Sequence, residues 1–234
     1  MKTSIEVSPP MLNTTLYLFE ANDCIIIDPA DSNACLHRIS ERKWNPLAVL
    51  LTHSHYDHIA GLEALLQEYP HTPVYIHPLE KEALFQPDLN LSSLLGRPFS
   101  VPSETTVKPL PNDKELQIPS PHSSFVFRLQ CLHVPGHSLG SMVYEFTTTN
   151  VEGKEITYLA TGDFLFEGTI GRTDLAGGSS DQMQTSLKLF KTAYASRIEE
   201  LIYIVPGHAA SMENQTTTLE KELRTNPYLY RLLS

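Results

Sequence analysis

Between positions 52 and 58 the chain reads Thr-His-Ser-His-Tyr-Asp-His, which places three imidazoles and one carboxylate within six consecutive positions. Nitrogen and carboxylate donors of this kind bind borderline divalent cations such as zinc. Residues two apart on extended backbone point the same way. His53 and His55 can therefore grip one ion together, while Asp57 and His58, on a turn into a helix, face a second. Polar decoration of an exposed turn, with Asp57 as a helix cap, does not account for three histidines at ligand spacing. Three more polar residues end β-rich runs beside glycine: His137 in HVPGHSLGS, Asp163 in LATGDFLF and His208 in IVPGHAAS. Singly, each is ordinary turn chemistry. Together, at sheet ends where glycine lets the backbone turn sharply, they supply the further ligands that two ions need.

Five neutral imidazoles and two carboxylates loaded with two divalent cations leave the pocket net positive, so anionic substrates are expected in an otherwise acidic protein. Coordination lowers the pKa of water to about 7, which makes metal-bound hydroxide the expected nucleophile. A thioester suits such a site, because a thiolate with a pKa of about 8.5 departs without a strong acid. GRTDLAGGSS lacks the pattern of a phosphate loop. The remaining histidines, His37, His71, His77, His122 and His133, have no partner pattern, and His133 is expected to play a structural or hydrogen-bonding part.

The elements that must position these residues alternate between strand and helix signals. TLYLF, CIIID and LAVLLT read as strands, with a helix in NACLHRISERK between the second and third. Ile59, Leu62, Leu65 and Leu66 recur at helical spacing up to Pro70, which puts HSHYDH where a strand hands over to a helix. PVYIH predicts a strand and PLEKEALF a helix, and the stretch 86–121 reads as a long surface connection in which a short hairpin could hide. SSFVFRLQCLHV, SMVYEFTTT, ITYLATGD and LIYIV predict strands, DQMQTSLKLFKTAYASRI an amphipathic helix, and TLEKELRTNPYLYRLL two helical pieces split at Pro227. This order suits two stacked sheets with helices outside.

At 234 residues and 41% hydrophobic content, one domain over residues 1–234 is expected. The formal charge of −10 argues against a nucleic-acid partner, which needs a basic surface. No signal-like or membrane-length apolar run is present, so a cytoplasmic protein without membrane contact is expected. Cys24, Cys35 and Cys131 lack paired spacing and are expected to be reduced core thiols.

THSHYDHIAG resembles the HxHxDH signature of the metallo-β-lactamase superfamily, and VPGHSLGS, TGDFLF, GRTDLAGG and VPGH resemble its remaining motifs in order. The likeness is greatest to its branch of hydroxyacylglutathione hydrolase (glyoxalase II)-like proteins and persulfide dioxygenases. The resemblance implies a four-layer αββα sandwich with the site at the sheet edge. It implies one metal on His53, His55 and His137, a second on Asp57, His58 and His208, and Asp163 bridging them. Asp57 counts as a catalytic residue as well as a ligand. Two divalent ions, zinc foremost with iron or manganese as alternatives, would hydrolyse a small anionic thioester of the hydroxyacylglutathione type. The alternatives are a persulfide dioxygenase with one iron on His53, His137 and Asp163, a hydrolase of another small ester or lactone, and a metal-stabilised scaffold. Arg172 matches a basic residue that contacts glutathione in the family, whereas Asp174 stands where a glutathione-contacting tyrosine is usual.

Overall fold

In the computed structural model, which describes residues 4–7, 13–110, 112–150, 152–209 and 215–233, alternating apolar residues along the strands sort the core into three slabs. The first half of the chain contributes β1 (Ser4–Val7), β2 (Leu16–Glu20), β3 (Asp23–Ile27), β4 (Asn45–Leu50), β5 (Val74–Ile76) and β6 (Val107–Pro109). They pair in that order into one sheet, antiparallel from β1 to β3 and parallel from β3 to β6. The second half contributes β7 (Lys114–Pro119), β8 (Val126–His133), β9 (Met142–Thr149) and β10 (Glu155–Gly162), a small hairpin of β11 (Leu165–Phe166) and β12 (Thr169–Ile170), then β13 (Ile202–Pro206) and β14 (Thr217–Thr218). Outside the hairpin these form a second sheet in the order β14-β13-β10-β9-β8-β7.

Cys24, Ile26 and Val49 cluster with Cys35, Ile39, Leu62 and Leu65 from α1 (Ser32–Arg42) and α3 (Leu62–Glu68), while α2 (Tyr56–Ile59) lies just before α3. Their neighbours Ile25, Ile27, Ala48 and Leu50 meet Met142, Tyr144, Ala160 and Val205 between the sheets. Val143, Leu159, Ile202 and Ile204 then pack against α4 (Ser180–Tyr194), α5 (Leu219–Thr225) and α6 (Pro227–Tyr230) through Met183, Leu187, Phe190, Leu219, Leu223 and Leu229. Helices, sheet, sheet and helices make the four-layer αββα arrangement that was expected. Each buried leucine, isoleucine or phenylalanine favours it by about 1.5–3 kcal/mol. Asp31, Ser179, Thr218 and Asn226 cap their helices with side-chain oxygens.

Three expectations need correction. The helical pattern after His58 breaks at Gly61, where Gly61 N–H donates to Pro29 O at 2.7 Å and a Cβ would lie 2.6 Å from that oxygen. PLEKEALF forms two 3-10 turns, Pro78–Glu80 and Glu82–Phe85, because Glu80 turns inward instead of lying on a helix surface. The stretch 86–121 is no mere surface connection, since it holds β6 and β7, the edge strands of the two sheets. Their largely exposed, lysine-bearing sequences suit edges and hide the strand period.

Cys24, Cys35 and Cys131 are all buried and free. Burial pushes the Cys35 thiol up to about 11 and the Cys131 thiol to about 12, which makes both inert. Among the described residues no helix is long and apolar enough to cross a membrane.

Candidate metal centre

Strands β4, β8, β10 and β13 each deliver a site residue just past their carboxyl ends. The parallel pairing of β10 with β13, and the two antiparallel steps from β10 through β9 to β8, bring three of those ends to one edge of the second sheet. Met142 N–H donates to Thr52 O at 2.9 Å and fastens that edge to the end of β4. His53 and His55 follow β4, and His55 has extended backbone. His55 occupies the N-cap of α2 with no side-chain capping bond, so its ring is left for other use. Asp57 is therefore a first-turn residue and not the cap. Gly207 makes the close approach possible: a Cβ there would lie 2.5 Å from Asp163 Oδ1 and 2.6 Å from His58 Cε1.

All seven candidate residues converge. Three overlapping groups, His53/His55/His137, His53/His58/Asp163 and Asp57/His58/His208, each present ligand atoms within 4.8 Å of one another. The second nitrogen of several rings is already committed. His137 Nδ1 faces Arg172 O at 2.8 Å, His58 Nδ1 faces Asp28 Oδ2 at 3.0 Å, and His53 Nδ1 faces Thr52 Oγ1 at 3.1 Å. These contacts aim the Nε2 atoms inward. His53 Nε2, His58 Nε2 and Asp163 Oδ1 are buried without a hydrogen-bond partner. His58 Nε2 and Asp163 Oδ1 approach to 3.1 Å without hydrogen-bond alignment, as donors directed at a shared third point would. An unpaired buried polar atom costs about 1–3 kcal/mol, and three such atoms around one space fit a metal site. Asp163 Oδ2 lies 3.5 Å from His137 Nε2 and 3.4 Å from His208 Nε2, so this carboxylate sits between the two outer groups.

The charges divide the cluster. Burial and the neighbouring imidazoles lower His53, burial outweighs Asp163 to lower His137, and burial with His137 and His58 brings His55 to about 4. These three rings are uncharged at neutral pH, and His137 Nε2 faces His55 Nδ1 at 2.9 Å. Burial opposes charge on His58 and His208 as well, but Asp163 and Asp28 raise the first, and Asp163 and Asp57 lift the second to about 9. Burial alone would raise the two carboxyls. His208, His58 and Asn13 hold Asp57 well below its usual range, and His58 and His208 do the same for Asp163. Both carboxylates are ionised donors.

Several supporting residues escaped the sequence reading. Asp28 accepts from Thr52 N at 2.8 Å and Thr52 Oγ1 at 2.6 Å besides facing His58. It ends an apolar run, as Asp163 and His208 do, and that signal could have found it. Buried Glu80 accepts from Gly140 N at 2.7 Å and from Ser54 N at 3.1 Å, which ties the His53–His55 segment to the His137 loop. Asn13 Nδ2 donates to Asp57 Oδ2 at 2.8 Å. Neither Glu80 nor Asn13 carries a local sequence signal. Arg172 lines the cleft beside the cluster, but its guanidinium makes a two-pronged pair with Asp174 at 2.6 and 2.8 Å. His133 Nε2–H donates to Leu139 O, 3.0 Å away, and the ring stacks on His77, outside the cluster.

Residues 9–208 match the family model of the metallo-beta-lactamase superfamily. The chain is 32% identical over 223 residues to the probable metallo-hydrolase YqgX of Bacillus subtilis, a match spanning 94% of this chain and 93% of that protein. It is 31% identical over 186 residues to a hydroxyacylglutathione hydrolase of Citrobacter koseri, spanning 77% of this chain and 57% of the other. Among solved structures, the B3 metallo-beta-lactamase BLEG-1 superposes with a TM-score of 0.77 at 31% identity, covering 97% of this chain and 99% of that one.

Proposed function

Because the chain belongs to the metallo-beta-lactamase superfamily, we propose that it is a dinuclear metallohydrolase that cleaves a small thioester of the hydroxyacylglutathione type. The observation that carries this reading is the set of buried, unpartnered atoms of His53, His58 and Asp163, around which the other ligands close. His53, His55 and His137 would hold one divalent cation, Asp57, His58 and His208 the other, and Asp163 both.

Such cations polarise a carbonyl and lower the pKa of a coordinated water to about 7. The chain's own residues then decide which bond is cut. Asp57 is ionised, held so chiefly by His208 and His58 against burial, and has no proton to give at neutral pH. With no strong acid supplied by Asp57, the site favours a leaving group that departs as an anion, and a thiolate with a pKa of about 8.5 does so where an amine does not. Asp28 and Arg172 O orient His58 and His137 from behind, so the cluster keeps its geometry while charge develops on the substrate. Arg172, on the cleft wall, is the candidate contact for an anionic thiol carrier.

Metal analysis of protein purified without added metal, combined with thioester turnover, tests the proposal. About two ions per chain, zinc foremost, and thioester hydrolysis abolished by a chelator are expected. A single iron with oxygen uptake on a persulfide would overturn it in favour of a dioxygenase.

A further inference from the structure

The cleft in front of the cluster is polar on its floor and apolar on its walls. Its floor is formed by ligands such as His55, Asp57 and His208, and Leu91, Leu94 and Leu95 rise on one side with Phe166 and Leu175 among the other lining residues. Its volume is about 480 Å³. Leu94 is 75% exposed and Leu95 61% exposed, an arrangement that exposes apolar surface to water for no folding benefit.

This leucine turn is built rigidly. Fully buried Asn90 donates through Nδ2 to Ala83 O at 2.9 Å and Phe99 O at 3.0 Å, and its Oδ1 accepts from Ser92 N at 3.0 Å. Ser92 Oγ accepts from Phe99 N at 2.9 Å. Tyr56 N–H, one residue before Asp57, donates to Asn90 O at 2.8 Å and bolts the turn to the helix that carries two candidate ligands. Leu91 adopts a φ of 68°, a conformation that leucine rarely takes. Backbone strain and fully buried polar anchors thus hold exposed leucines at the mouth of the cluster. Opposite polarity is muted, because Asp174 already neutralises the Arg172 guanidinium.

We infer that the substrate carries a hydrocarbon chain on one half of its scissile thioester, and that this chain lies on the Leu91–Leu94–Leu95 wall. The inference rests on the hydrolase reading for its chemistry, but the wall itself does not. Chain burial against leucine favours binding by about a three- to fourfold step per methylene.

Two substrate series test it with the metal-loaded protein. One lengthens the acyl half from acetyl through butyryl and hexanoyl to octanoyl on a common thiol, and the other lengthens an alkyl thiol under a common acetyl group. The expected result is a kcat/KM that climbs by about three- to fourfold per methylene in one series, and that series identifies the half that meets the wall. The Leu94→Ser/Leu95→Ser double variant should flatten the climb. A wild-type response flat in both series overturns the inference while leaving the hydrolase reading intact. If no thioester is turned over at all, the hydrolase reading fails by itself. Calorimetric binding of saturated carboxylates and alkanethiols then decides the matter: affinity that rises with chain length and is lost in the double variant supports the wall, and length-independent binding overturns it.

Discussion

Lowering the pH should empty the Asp57/His58/His208 group long before it touches the His53/His55/His137 group. Burial and neighbouring rings keep the second trio uncharged, with His55 at about 4, so a cation displaces no charge-bearing proton there throughout the neutral range. His208 is the opposite case: Asp163 and Asp57 overcome burial and hold its pKa at about 9, and Asp163 and Asp28 raise His58 in the same direction. A raised pKa means that the proton is bound below that value and must leave before the ring can ligate. Affinity for the cation therefore rises with pH up to about 9 and is lost as pH falls, about tenfold per unit for each proton displaced. Between about pH 8 and about pH 6 that is about a hundredfold for His208 alone, and more where His58 is protonated too. The first ion's charge lowers both pKa values, so the smaller figure is expected for stepwise loading. Calorimetric zinc titration of metal-free protein at the two pH values, in buffers of different ionisation enthalpy, reads both the affinities and the protons released. A second step that releases no proton, or two steps that weaken equally, would refute the reasoning.

Asp28→Ala leaves His58 Nδ1 and both Thr52 donors without their acceptor, and should cost about 2–4 kcal/mol in urea denaturation, with the second ion weakened more than the first. Glu80→Gln keeps the volume but replaces a charged acceptor that joins Ser54 to Gly140; a stability loss of about 1.5–3 kcal/mol and a fall in kcat larger than the change in KM are expected. An unaltered kcat in that variant would show that the tie does not position His55 and His137. Asp163→Ala should lose both ions by metal analysis while His208→Ala loses mainly one, because only the former reaches both outer groups. Asp174→Ala frees the Arg172 guanidinium and should raise kcat/KM for a glutathione thioester by about two- to fivefold over a neutral one. The gain should vanish when Arg172→Ala is added.

The layers were legible because burial imposes a strict period on them. Ile25 and Ile27 face one slab and Cys24 and Ile26 the other, so the run CIIID already shows a strand covered on both sides. The stretch 86–121 was illegible for the converse reason. β6 and β7 are edge strands, β6 has no fully buried residue and β7 only Ile118, and neither leaves a period to read. Asn90 and Ser92, polar in composition, resemble surface residues in the sequence, yet both are fully buried because their side chains replace backbone partners for a turn that has no regular ladder.

The candidate ligands show up in sequence because a metal site demands unusual residues at fixed local spacing, as His53, His55, Asp57 and His58 have. The groups that hold those ligands obey no such rule. Glu80 is an unremarkable acidic residue in HPLEKE until β5 is placed beside β4, whereupon its two oxygens reach Ser54 and Gly140, residues 26 and 60 positions away. Its value comes from joining two ligand-bearing segments that lie far apart in the chain, so only the fold can reveal it. The same argument explains the leucine turn. Exposed Leu94 and Leu95 look like any loop residues until Asn90 is seen to accept from Tyr56, one position before Asp57. A ligand's chemistry is a property of its own side chain, whereas the orientation of a ligand and the polarity of the space in front of it are properties of contacts. Substrate preference, which depends on that space, is therefore the part of this protein's function that sequence conveys least and substitution of the wall tests most directly.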